Sequence, residues 1–223
     1  MLVAALVTSL VLGADDWETV VKGPIVVKNR AIAGTSVKEV WAEGEMNAPA
    51  RQVEDVLTDI ASLTSFMPFM KDAHVIGEPN DDGSLNVYTL IDLPLVGKRD
   101  YLQKLSFPSR LERDGHFRAE WLPQPEFAPK VEGVIRITNN AGHWLVTPLD
   151  EGKRCRVEYQ FTVDPGGVIP AFIANIGNQK GVADTYAAVQ KEANRRAALS
   201  AERGASKSPA AAAPDAGAPL PTP

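Results

Sequence analysis

Apolar and polar positions through the middle of the chain alternate with a period of two. Leu85, Val87, Thr89, Ile91 and Leu93 stand against Asn86, Tyr88, Leu90 and Asp92. Arg99, Tyr101, Gln103, Leu105 and Phe107 alternate with Lys98, Asp100, Leu102, Lys104 and Ser106, and Phe117, Ala119 and Trp121 with His116, Arg118 and Glu120. Cys155, Val157, Tyr159, Phe161 and Val163 do the same against Arg154, Arg156, Glu158, Gln160 and Thr162. This period predicts strands with one covered and one wet face. Runs at 17–22, 25–32, 37–46, 73–77, 134–138 and 143–147 predict further strands. Asn80-Asp81-Asp82-Gly83 and Asn139-Asn140-Ala141-Gly142 predict turns between them.

The period changes twice. After Pro49, suited to a first helical position, Val53, Val56, Leu57 and Ile60 fall at i, i+3, i+4 and i+7, one face of a helix. Glu54 and Asp55 lie off that stripe and are expected toward solvent. Residues 62–68 predict a short helical turn carrying Phe66 and Met67. Asp164-Pro165-Gly166-Gly167 ends the last strand, and a helix is expected from 168 to about 198. Its apolar stripe is Ile169, Phe172, Ile173 and Ile176, continued by Val182, Tyr186, Val189 and Ala193. Gly177 and Gly181 weaken its middle by roughly 1 kcal/mol each. The expected class is α+β: a long antiparallel meander whose apolar face is covered by a C-terminal helix and a shorter N-terminal one. A strongly curved sheet around one helix can leave an apolar cavity, a common small-molecule site. A solid core would give the same periodicity.

The ends read differently. Residues 1–14 carry no charge and hold an apolar run of signal-peptide length, with Gly13-Ala14 before Asp15-Asp16 as the cleavage site. The expected location is periplasmic or secreted, or cytoplasmic if the start lies elsewhere. Residues 204–223, GASKSPAAAAPDAGAPLPTP, hold one large aliphatic residue, Leu220, and are expected as a disordered Pro/Ala tail. One folded domain, 15–203, remains. The net charge of −5 argues against nucleic acid as a partner, and the single cysteine excludes an internal disulfide and zinc sites built on paired cysteines.

Candidate chemistry is sparse. His74, His116 and His143 make no metal-binding spacing, and no nucleophile-elbow, phosphate-loop or dinucleotide motif is present. Cys155 falls on the covered parity, where a buried inert thiol is expected. Neighbouring carboxylates such as Glu54-Asp55 point apart on any regular element. Arg99 shares parity with Tyr101 and Leu105. Either it points to the covered side, where a guanidinium needs a partner, or its head reaches water from the strand end.

Three stretches carry a resemblance: NAPARQVEDVLTDIASLTSFMPFMKDAHVI, then VYTLIDLPLVGKRDYL, then GHWLVTPLDEGKRCRVEYQFTVDPGGVIPAFIANIGNQKGVADTYAAVQKEA. With an aromatic shortly before Pro, a Leu-Pro loop followed by Arg-Asp, Gly-x-Trp, and Asp-Pro-Gly-Gly before the last helix, most of 46–193 resembles the START family of lipid-transfer domains in a bacterial form. Phe66 departs from the Trp that relatives often carry. The resemblance implies a helix-grip fold, a curved antiparallel sheet wrapped around the C-terminal helix, enclosing a tunnel for one hydrophobic molecule. It implies no cofactor and no metal. Read through it, the ligand-lining candidates are Val87, Thr89, Ile91, Arg99, Tyr101, Phe117, Trp121, Tyr159 and Phe161, closed by Phe172, Ile173 and Ile176. The gate loop is Leu93, Pro94, Leu95 and Val96, ending at Gly97. The implied partners are a lipid-like molecule and, transiently, a membrane, with the chain a monomer. Polyketide cyclases and aromatases of the same superfamily offer an enzyme alternative, and a quinone-binding chaperone a third. No catalytic residue is assigned.

Overall fold

The structure, a computed structural model, describes residues 16–35, 37–167 and 180–207. The expected leader, Phe172, Ile173 and Ile176, and 208–223 lie outside the described residues. The strands are β1 Glu18–Val21, β2 Ile25–Ala31, β3 Lys38–Met46, β4 Met70–Val75, β5 Leu85–Leu93, β6 Gly97–Ser109, β7 Phe117–Pro123, β8 Ile135–Arg136, β9 Asn139–Leu149 and β10 Arg154–Asp164. The helices are α1 Ala50–Thr58, α2 Leu111–Asp114 and α3 Val182–Lys207, with a 3-10 turn at Ile60–Ser65.

All ten strands form one sheet in the order β1-β2-β3-β10-β9-β7-β6-β5-β4, with β8 alongside β6. Every pairing on the path is antiparallel. Among the described residues β1 and β4 are the edge strands, and each has a register irregularity, between Thr19 and Val21 and between Met70 and Asp72. Directly opposed residues share a face. The register therefore chains Val27 to Ala42, Ala42 to Tyr159, Tyr159 to Trp144, and Trp144 to Ala119. On the far side it chains Trp121 to Leu105, Leu105 to Leu85, and Tyr101 to Thr89. This is the concave face, curled around α3.

One end of the concavity is solid. Val53, Val56 and Leu57 of α1 and Tyr186, Val189 and Ala193 of α3 pack on Met46, Phe117, Val146 and Cys155 at the strand ends. The Tyr186 hydroxyl donates to Gly44 O at 2.6 Å and lies 3.2 Å from Val157 O. Gln190 Oε1 accepts from Asn47 N at 2.8 Å, and Asn194 Nδ2 donates to Asn47 O at 2.9 Å. Glu192 of α3, buried, accepts from Arg195 at 2.6 Å and from Arg196 at 2.9 Å, and Arg196 reaches Asp59 at 2.9 Å beyond α1.

Four expectations are corrected. Asn139 to Gly142 are not a turn but strand, paired with β10 from Asp164↔Asn139 to Phe161↔Gly142. Gly142 serves close packing: a Cβ there would lie 2.5 Å from Trp121 Cζ2 and 2.7 Å from Phe161 Cβ. The strand expected at 134–138 shrinks to Ile135–Arg136 and runs parallel to β6. Glu54 is 4% exposed, because the chain leaving β6 brings Arg110 to within 3.1 Å of Glu54 Oε1, over the helix face expected to meet water. The last helix continues to Lys207, beyond 198 and into the first residues of the expected tail. Ala197, Ala198, Leu199, Ala201, Glu202 and Arg203 are strong helix formers.

Two outcomes follow. Gly142→Ala should cost on the order of 1–3 kcal/mol in urea unfolding, since neither the Gln160 backbone nor the Trp121 ring can retreat freely. The Arg195 hydrogen bond, with Arg196 behind it, pulls the Glu192 carboxyl from its usual 4.5 down to about 2. A carboxylate depressed in the folded state stabilises above its unfolded pKa and loses that contribution as pH falls through the folded one. Acid titration of thermal stability should therefore show a loss between pH 4.5 and 2 that Glu192→Gln flattens.

Candidate functional site

Away from the solid end the described core breaks into separate apolar clusters. The large one holds α1 and α3, a second joins Val182 to Val27, Val40 and Ala42, and a third sets the 3-10 turn's Ile60 on Ala73 and Val87. On the concave face Trp121 belongs to the large cluster, Tyr159 and Phe161 pack against both the large and the second, Thr89 is buried, and Ile91 and Tyr101 lie outside all three. β10 supplies an aromatic wall. Tyr159 stacks on Trp144 with centroids 3.9 Å apart, and lies 4.7 Å from Phe161 and 6.0 Å from Trp121. Trp121 Nε1 donates to Asn140 Oδ1 at 3.0 Å, which satisfies the indole.

The opposite wall is β5 and β6. Tyr101 stands directly opposite Thr89. Burial pushes the Tyr101 phenol up to about 12, although part of its surface stays free. Tyr159 behaves alike: burial raises its phenol, and the nearby Tyr101 raises it further. Tyr101 and Tyr159 are thus each partly exposed on the concave face. β6 and β10 are separated in the sheet by β7 and β9, roughly 14 Å at ordinary strand spacing. That their phenols influence one another reflects the curl of the sheet.

The remaining sequence candidates lie elsewhere on this face. Phe117 is 0% exposed in the solid end, and Val87 belongs to the cluster under the 3-10 turn. Arg99 is 1% exposed, so it points to the covered side. It has no carboxylate partner among its hydrogen bonds. Nε donates to Pro165 O at 2.9 Å, Nη1 to Val96 O and to Gly97 O at 3.2 Å, and Nη2 to Gly166 O at 3.5 Å. Desolvation lowers its pKa. Asp100, pointing to the other face, is held by Arg136 through Nε at 2.7 Å and Nη2 at 2.9 Å. Arg136 also donates to the carbonyls of Pro125, Ala128 and Pro129, pinning that loop on the outer face. The hairpin 93–97 carries Leu95 at φ 69° and 89% exposed.

Sequence reasoning passed over Trp144, which stacks on Tyr159. Its parity with Val146, within the strand expected at 143–147, and the Gly-x-Trp spacing were the available signal. The three histidines all sit off the concave face: His143 contacts Glu158 at 3.0 Å, His116 the Asp114 carbonyl at 3.1 Å, and His74 Asp72 at 3.1 Å. Cys155 is buried, its thiol pushed up to about 12 by desolvation. Among the described residues, no group of three or more His, Cys, Asp or Glu could hold a metal ion. Two surface grooves, of about 560 Å³ beside Asn86, Lys104 and Phe127 and about 290 Å³ beside Trp17, Lys28 and Trp41, lie outside this face.

Comparison with known proteins agrees with this geometry. The family model described as polyketide cyclase / dehydrase and lipid transport matches residues 46–190. The crystal structure of a STAR-related lipid transfer protein fragment from Xanthomonas axonopodis is 25% identical, with 81% of this chain and 99% of that one covered at a TM-score of 0.70. Human StAR-related lipid transfer protein 5 superposes with a TM-score of 0.72 over 82% of this chain and 89% of its own, at 16% identity. The Zhui aromatase/cyclase from Streptomyces sp. R1128 shares the fold at a TM-score of 0.51 and 16% identity, over 72% of this chain and 96% of that one.

Proposed function

The chain belongs to the polyketide cyclase/dehydrase and lipid transport family, and from that premise we propose that it binds one lipid-like molecule in the hollow between Tyr101 on β6 and Tyr159 on β10. The observation that carries this reading is the row of partly exposed residues Ile91, Tyr101, Tyr159 and Phe161 that the register sets on one concave face. An apolar body fits against Ile91, Phe161 and the Trp144–Tyr159 stack. The partly exposed Tyr101 gives a ligand's polar end a hydroxyl to bond. Delivery between membranes extends the reading: the exposed Leu95 at the hairpin tip suits brief insertion into a bilayer surface.

Catalysis in the same hollow is the second reading the family leaves open. It would fall to Thr89, Tyr101 and Tyr159, whose hydroxyls are protonated at neutral pH and can orient or polarise a carbonyl but not abstract a proton. Binding is favoured because the surrounding wall is apolar.

Ile91→Trp tests the hollow. Ile91 is half-buried and outside the core clusters, so the indole should occupy ligand space with melting temperature held within a few degrees. Uptake of a fluorescent fatty-acid or sterol probe should fall by about tenfold or more. In a solid core the same change would cost roughly 1–3 kcal/mol and leave probe uptake absent in both proteins. Export is part of the proposal and rests on the 1–14 apolar run. N-terminal sequencing of protein recovered from its native host should begin near Asp15, and an intact Met1 would remove it.

A further inference from the structure

Gly142 lies directly opposite Trp121 on β7 and Phe161 on β10. With no side chain there, the Trp121 ring lies across β9, and a Cβ on Gly142 would come 2.5 Å from its Cζ2. This carries the indole nitrogen along the strand to Asn140, two residues away on the same face, where Nε1 donates to Oδ1 at 3.0 Å. An indole N–H can only donate, so the Asn140 amide must turn its oxygen toward it. Nδ2 is left with two N–H groups, and among the described residues nothing accepts from them. Asn140 is partly exposed. Charge is scarce on this face. β5, β7, β9 and β10 place none on it. β6 places Arg99, which is spent on the carbonyls of Val96, Gly97, Pro165 and Gly166. Lys38 and Glu18 are the first residues of β3 and β1. Lys38 is separated from Asn140 by β10, roughly 10 Å at ordinary strand spacing. Residues 168–179, ahead of α3, include no Asp, Glu, Lys, Arg or His.

We propose that Asn140 is the polar anchor of the bound molecule and sets its class: Nδ2 donates to a neutral oxygen, a carbonyl or a hydroxyl, at one end of an apolar body lying against Trp121, Tyr159 and Phe161. This rests on the binding reading above. An amide held at its oxygen cannot turn to offer an acceptor, so Asn140 presents donors alone. It is also oriented before the ligand arrives, which lowers the ordering cost of binding. A neutral oxygen needs no more than such a donor. A carboxylate or phosphate in the same place would shed its water with Arg99 already committed and Lys38 two strands off. One amide N–H does not offset that desolvation. The ligand expected is therefore an uncharged amphiphile, such as a long-chain alcohol, ketone or ester, and not a fatty-acid anion.

Three probes test it: pyrene-labelled dodecanoic acid, its methyl ester and the matching alcohol. At about pH 8, where the acid is ionised, the full-length protein should bind ester and alcohol at least about tenfold more tightly than the acid. Asn140→Asp keeps an oxygen for the Trp121 indole and replaces the donor with an anionic acceptor. It should weaken the ester, which only accepts, by about tenfold or more. The alcohol should lose less, since a hydroxyl can turn and donate to the new carboxylate. In the unaltered protein, the side-chain amide protons of Asn140 should move downfield in proton–nitrogen correlation spectra when the ester binds. An Asn140 that only braces Trp121 predicts unchanged ester affinity in Asn140→Asp, and that result overturns the anchor. Acid binding as tight as ester binding overturns the neutral class. Where Asn140→Asp fails to fold, the resonance decides. Uptake of the ester with that resonance unmoved overturns the anchor alone, whereas uptake of none of the three probes overturns the binding reading and the anchor with it.

Discussion

The Tyr186 hydroxyl, bonded to the Gly44 carbonyl and close to that of Val157, fixes α3 to the sheet at one end of the concavity. A curved sheet of this size has more apolar face than one helix can cover, so where that helix is pinned decides what is core and what is hollow. On the pinned side α1 completes the cover, and strand ends such as Met46, Phe117 and Cys155 are sealed. Farther along the same strands exposure rises, and residues four and six positions beyond Cys155, Tyr159 and Phe161, become wall. Stability and binding are thus divided along the strand axis.

That division explains which features the sequence made legible. Alternation assigned Thr89, Ile91, Tyr101, Trp121, Tyr159 and Phe161 to one face, and the register places them there. Parity carries one binary choice per residue and says nothing of depth along the strand. Phe117 and Val87 share the face but fall where α1, α3 and the 3-10 turn press on it. Glu54 was misread for a related reason: helix periodicity cannot foresee Arg110 folding back over its polar side. Asn139-Asn140-Ala141-Gly142 has the composition of a turn, but the glycine's missing side chain makes room for Trp121 instead of freeing a backbone angle.

Adjacent residues of a strand face opposite ways, and β6 uses this with two opposite charges. Arg99 turns inward and ties the 93–97 hairpin to Pro165 and Gly166. Asp100 turns outward and, through Arg136, ties down the loop carrying Pro125, Ala128 and Pro129. The two differ in strength. Removing one member of the Asp100–Arg136 pair would leave a buried unpaired charge, at roughly 3–5 kcal/mol. The Arg99 contacts are ion–dipole bonds to backbone and are individually weaker. One short stretch therefore supplies a fastening on each side of the sheet, an ion pair on the convex side and guanidinium–carbonyl bonds on the concave side.

Among the described residues, the sheet of ten strands also ends in two edge strands, β1 and β4, whose outer rows of backbone groups have no strand partner. Such rows are templates onto which a neighbouring chain can stack, the first step toward fibrils. Both are spoiled here. β1 is four residues long with a break in register, and β4 is bulged at its start, where Lys71 and Asp72 sit, with His74 farther along. The molecule thus keeps its wide apolar concavity for a small guest while giving its own kind no straight edge to copy.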